Sequence, residues 1–151
     1  MKVLALLDGL AADWSTVKTC GILSHAPKCG ADNMTCGKLL SHCVDKIDAF
    51  RTKIGIRLCI FKIGVTHNPL VRYRSYHENG YKTMWLLAMS CSIPLVHMLE
   101  AALICKYCLH VGCRNKKGTG GEGYLNRHDG PPGPFFVYIV GARADQHGWV
   151  G

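Results

Sequence analysis

Between Arg57 and Val140 the chain switches repeatedly between two hydrophobic periods, and Pro or Gly marks most switches. Over Arg57–Val65 the period is two. Leu58, Ile60 and Lys62 share one face, and Cys59, Phe61, Ile63 and Val65 share the other, so Lys62 points away from Phe61 and Ile63. Asn68-Pro69 then gives a helix start, with Asn as N-cap and Pro at the first helical position. That short helix carries Arg72 and Arg74 and stops near Asn79-Gly80. Thr83–Met89 is a second apolar strand. Ser92-Ile93-Pro94 opens a helix with Leu95, Val96, Leu99, Leu103 and Tyr107 on one stripe, and Gly112 is expected to end it. A Gly/Pro-rich basic loop over 113–134 leads to a third strand, Phe135–Val140.

This alternation predicts an α+β fold: a small three-stranded sheet, mixed or antiparallel, flanked by helices near 36–51, 69–78 and 94–109. Upstream, Thr35 is a potential N-cap, and Cys36, Leu40, Cys43, Ile47 and Phe50 lie on one helical face. Met1–Trp14 is compatible with a short helix and Cys20–Asn33 with a loop. The expected organisation is an N-terminal helical extension (1–56), a core (57–142) and a tail (143–151), all within the size of one domain.

The charge is unevenly placed. Residues 1–50 are net zero, residues 51–128 are net +9, and residues 129–151 are net −1. A basic surplus confined to one segment is the footprint of a polyanionic partner, or else a solvated basic face. The nine Cys are odd in number. The apolar run Met1–Leu7 is too short for a signal sequence, and no uncharged apolar stretch reaches membrane-spanning length. The expectation is an intracellular protein, cytoplasmic or nuclear, with mostly reduced thiols and no membrane partner.

Three familiar motifs do not hold. Gly118-Thr119-Gly120-Gly121-Glu122-Gly123 matches a dinucleotide fingerprint literally, but it follows a helix and precedes prolines. It suits a flexible loop whose amides, with Lys116 and Lys117, meet phosphate. Cys105, Cys108, His110 and Cys113 have zinc-ligand chemistry, but 105 and 108 fall on a continuous helix and no second C-x2-C exists, so structural zinc is not expected. No nucleophile elbow is present.

What remains is an ordered set. Lys62-Ile63-Gly64 closes a strand, and Arg72 follows ten residues after Lys62 on a short helix. Glu100 sits at the margin of the next helix's apolar stripe, where it is either held toward a cleft or an ordinary surface Glu. Asn115 comes fifteen residues later. This order over about residues 57–125 resembles the GIY-YIG nuclease superfamily, with Lys62 where most members have the second tyrosine. The resemblance implies metal-dependent hydrolysis of a phosphodiester in nucleic acid, DNA rather than RNA. Glu100 would hold Mg²⁺ or Mn²⁺, Arg72 and Lys62 would neutralise the phosphoryl group, and Tyr138 or His67 would orient or deprotonate water. Asn115 would fix the loop or Glu100, and Arg74, Asn115, Lys116 and Lys117 would contact nucleic acid. The family's first strand is missing upstream of Lys62. Either Phe136-Val137-Tyr138-Ile139-Val140 supplies it from the C-terminal side, or the tyrosine is lost and the chain is a weak or inactive nucleic-acid-binding module. A cysteine-based metal or redox protein is a third class, resting on cysteine content alone.

Overall fold

The computed structural model describes residues 35–115 and 134–146, and the backbone of residues 17–19. In chain order the elements are β1 (Val17–Thr19), α1 (Cys36–Ile54), β2 (Cys59–Thr66), α2 (Pro69–Glu78), β3 (Thr83–Ser90), α3 (Ile93–Tyr107) and β4 (Phe135–Arg143). They form the expected α+β architecture. Strands β2, β4 and β3 make an antiparallel sheet with β4 in the middle, and β1 adds to the outer edge of β3 in parallel.

The three helices of the described residues start where local chemistry allows. The Thr35 hydroxyl accepts from Lys38 N (3.3 Å), the Asn68 amide oxygen from Val71 N (3.2 Å) and the Ser92 hydroxyl from Leu95 N (3.3 Å). Each cap satisfies an amide that has no partner within its helix, a contribution of about 1 kcal/mol. Helix α1 buries Leu39, Cys43, Ile47 and Phe50, while Cys36, expected on that face, is exposed.

The sheet separates two apolar layers. On one side α1 and α3 pack over Cys59, Phe61 and Ile63 of β2 and Val137 and Ile139 of β4. On the other side, Tyr73 and Tyr76 of α2 pack with Met84, Leu86, Phe136, Tyr138 and Val140. A register shift between Leu86 and Ala88 lets β3 serve both layers: Leu86 and Met89 face α2, whereas Leu87 and Ala88 join α1 and α3. Helix α1 is thus part of the same core as the sheet.

Arg51 ties the end of α1 to the turn after α3. Its guanidinium lies 5.2 Å from the Phe61 ring centroid and 5.8 Å from that of Tyr107. It also donates to His110 Nδ1 (3.0 Å), which assigns the proton of a neutral His110 to Nε2.

Two sequence expectations change here. Helix α3 ends at Tyr107, before Gly112. Gly112 instead adopts φ +88° and lies against the Cys59 carbonyl, where a Cβ would overlap the oxygen. That approach lets residues 112–115 run along the free edge of β2. Phe61 N donates to Gly112 O (2.9 Å) and Arg114 N donates to Phe61 O (2.8 Å). The start of the expected loop therefore closes a sheet edge. The fourth strand, β1, adds to the three expected.

The expected Met1–Trp14 helix, the Cys20–Asn33 loop and the Gly-rich segment 118–123 lie outside the described residues. So does most of the tail, of which 144–146 form a turn. Among the described cysteines six are outside any disulfide and Cys91 is disulfide-bonded. No helix of the described residues is long and apolar enough to cross a membrane.

Candidate active site

The site is built on the α2 side of the sheet. Alternation along β2 puts Lys62 and Gly64 on that side, away from Phe61 and Ile63. Antiparallel pairing with β4 sets Gly64 opposite Tyr138 and Lys62 opposite Val140, so Tyr138 and Lys62 are diagonal neighbours on one face. Gly64 is required by this arrangement. A Cβ there would stand 2.7 Å from Tyr138 Cζ, so the missing side chain makes room for the phenol ring.

Helix α2 completes the wall. Arg72 and Tyr76 are one turn apart on the same side of the helix. Tyr76 Oη and Tyr138 Oη are hydrogen-bonded at 3.0 Å, and their ring centroids are 5.9 Å apart. Tyr81 packs edge-on to Tyr76 at 5.3 Å, and Lys62 Nζ stands 6.0 Å from the Tyr76 ring centroid.

Tyr138 is buried, and burial pushes its phenol well above the ordinary tyrosine range. The neighbouring Tyr76 adds to the rise, as does the charge of Glu100, while Arg72 opposes it. Two conclusions follow. Tyr138 keeps its proton at neutral pH and acts as a hydrogen-bonding hydroxyl. Arg72 on α2 and Glu100 on α3 both lie within electrostatic reach of the same oxygen.

Glu100 is only 8% exposed, and its Oε2 is 3.7 Å from Nδ1 of His97, one turn earlier on α3. Among the described residues no group of three or more His, Cys, Asp or Glu gathers to hold a metal. A cation at Glu100 would take most of its shell from water and phosphate oxygens, as hard divalent ions do.

The remaining expected residues divide. His67 sits half-buried in the connection between β2 and α2. Arg74 is exposed, and two residues of helix turn it away from the side that Arg72 and Tyr76 share. Lys116 and Lys117 lie outside the described residues. Asn115 is bound to strand β2. Its Oδ1 accepts from Ile63 N (2.8 Å) and its Nδ2 donates to Ile63 O (2.8 Å), so its amide is committed to the edge of β2. It holds the start of the 113–134 loop to the strand that carries Lys62 and Gly64.

Replacing Asn115 by Ala leaves both Ile63 groups without these bonds. We expect an unfolding free energy lower by about 1–3 kcal/mol. Urea titration should show a lower midpoint at an unchanged slope, and an unchanged midpoint would dismiss the clamp.

Two thiols near the β2 edge are poor nucleophiles. Burial pushes Cys59 up to about 11, and burial also raises Cys113. This weighs against chemistry centred on those cysteines. Tyr76 and His97 are the site residues missed in the sequence. For Tyr76 the available signal was its spacing of four from Arg72 on a short helix.

No family model, curated protein or solved structure matches this chain.

Proposed function

We propose that this protein is a divalent-metal-dependent endonuclease of GIY-YIG type that hydrolyses phosphodiester bonds in nucleic acid, DNA in preference to RNA. One observation carries it: Tyr138, on a strand entering the sheet from the C-terminal side, is hydrogen-bonded to Tyr76 and within electrostatic reach of both Arg72 and Glu100. Tyr138 then stands in for the tyrosine missing upstream of Lys62. Glu100 and Tyr138 are 38 positions apart in sequence, yet the charges of Glu100 and Arg72 both act on the Tyr138 hydroxyl.

In this mechanism Arg72 and Lys62 supply the positive charge that stabilises the phosphoryl oxygens as charge develops on them. The Tyr76–Tyr138 hydroxyl pair orients a water for attack by hydrogen bonding. His67 at the end of β2 is the candidate to take its proton. Glu100, with water, would hold a divalent cation, which supplies Lewis-acid stabilisation of the phosphate when bound. A nucleic-acid substrate is consistent with a site of action inside the cell, in cytoplasm or nucleus.

A second reading has its own support. Glu100 is 8% exposed and Tyr138 2%, which suits a scaffold that binds nucleic acid without cutting it. Supercoiled plasmid incubated with the protein and Mg²⁺, Mn²⁺ or EDTA separates the two. Nicking or linearisation that EDTA abolishes supports the nuclease; retained plasmid binding with no cleavage in any lane supports the binding module.

Both readings require salt-dependent association. Binding to duplex DNA should fall linearly in log–log form with added salt, because the basic segment 51–128 displaces counterions from the phosphates. Five or six phosphate contacts would weaken binding by roughly 10³-fold between 50 and 200 mM salt. Fluorescence anisotropy across that range measures the slope, and a flat line would remove the polyanion partner.

A further inference from the structure

The environment of Glu100 holds one feature that the mechanism above leaves unused. His97 precedes it by three residues on α3, so both side chains project from the same side of the helix. His97 Nδ1 and Glu100 Oε2 are 3.7 Å apart, beyond hydrogen-bond reach. The other ring nitrogen, Nε2, is buried and makes no hydrogen bond among the described residues. The nitrogen that faces the carboxylate is Nδ1, so a cation held between the two side chains would bind Nδ1 and leave the ring proton on Nε2.

We propose that His97 and Glu100 together hold the divalent cation, and that the site therefore favours a first-row transition-metal ion over Mg²⁺. This rests on Glu100 being the cation-holding carboxylate of the proposed nuclease. Two bonds of about 2.1 Å meeting at a tetrahedral angle keep their donor atoms roughly 3.4 Å apart, so chelation asks the pair to close by only about 0.3 Å. The donor set decides the metal class. Mg²⁺ is a hard ion that takes oxygen ligands and keeps its waters, so it gains little from imidazole. Mn²⁺, Co²⁺ and Zn²⁺ accept nitrogen and oxygen together. With two protein ligands, the other positions stay open for water and for a non-bridging phosphate oxygen of the substrate.

The test uses the full-length protein without nucleic acid. Mn²⁺ binding is followed by loss of the free-ion electron paramagnetic resonance signal, and Mg²⁺ binding by competition against it. His97→Ala should weaken Mn²⁺ binding roughly ten-fold or more and leave Mg²⁺ binding unchanged. Equal Mn²⁺ affinity in the two proteins, or no Mn²⁺ binding by the unaltered protein, overturns the proposal. Should His97→Ala fold poorly, proton NMR of the unaltered protein decides. Substoichiometric Mn²⁺ should broaden one histidine ring resonance ahead of the other seven, and Glu100→Gln should abolish that selectivity. Uniform broadening, or none, overturns it. Tight Mn²⁺ binding lost in His97→Ala, in a protein inert on plasmid, supports the metal site and defeats only the nuclease. Metal-dependent cleavage with Mn²⁺ affinity unmoved by His97→Ala defeats the chelate and leaves the nuclease standing.

Discussion

Glu100→Gln is expected to lower metal-dependent plasmid cleavage by on the order of 10³-fold or more, the scale of losing charge stabilisation in a water-poor site. The substitution removes a charge but almost no volume. Glu100 is buried on α3 along with Val96, Leu99 and Leu103, so an isosteric replacement should preserve the local packing. Circular dichroism and the thermal midpoint should stay close to those of the unaltered protein, and affinity for duplex DNA at low salt should be retained. Cleavage by Glu100→Gln at the original rate would remove the carboxylate from the chemistry. Equal loss of cleavage and of folding would show only that the position is structural.

Arg72→Ala should follow with a loss of roughly 10²–10³ in kcat. Arg72 is exposed on α2 and is expected to meet the phosphoryl oxygens, so the variant should fold normally. A guanidinium offers two parallel donors to a phosphate, whereas an ammonium offers a point charge, so Arg72→Lys should recover only part of the loss. The division of the effect is diagnostic. If Arg72 acts chiefly on charge that develops during reaction, kcat falls and KM changes little. A rise in KM with kcat unchanged would make Arg72 a docking residue and favour a scaffold that binds without cutting.

The parts of this fold legible in the sequence are those set by local chemistry. Thr35, Asn68 and Ser92 mark helix starts because a cap and its helix are separated by only three residues. Strands β2 and β4 announce themselves because each presents an apolar run to two covered faces. Strand β1 has three residues and pairs through its backbone, so no side-chain period betrays it. Gly112 reads as a helix end because both roles call for glycine; only the approach to Cys59 distinguishes them. The same boundary divides the site. Lys62, Arg72 and Glu100 stand out as charged residues next to apolar patterns. Tyr76 does not, because its role comes from a hydroxyl 62 residues away. Nothing near Asn115 in the sequence shows that its amide completes a strand edge 52 residues earlier.

The position of β4 has a consequence for how the molecule comes into being. It is the last strand in chain order among the described residues, yet it lies between β2 and β3 and is the main-chain partner of both. A nascent chain that has reached only α3 already contains Lys62, Arg72 and Glu100 but cannot join the two earlier strands through β4. Assembly must wait for a segment more than 40 residues beyond β3, a non-local closure of the kind that slows folding. Until then two apolar strands have open edges, the condition under which chains associate with one another. The same delay withholds Tyr138, so the complete set of groups around it comes together only as the sheet closes.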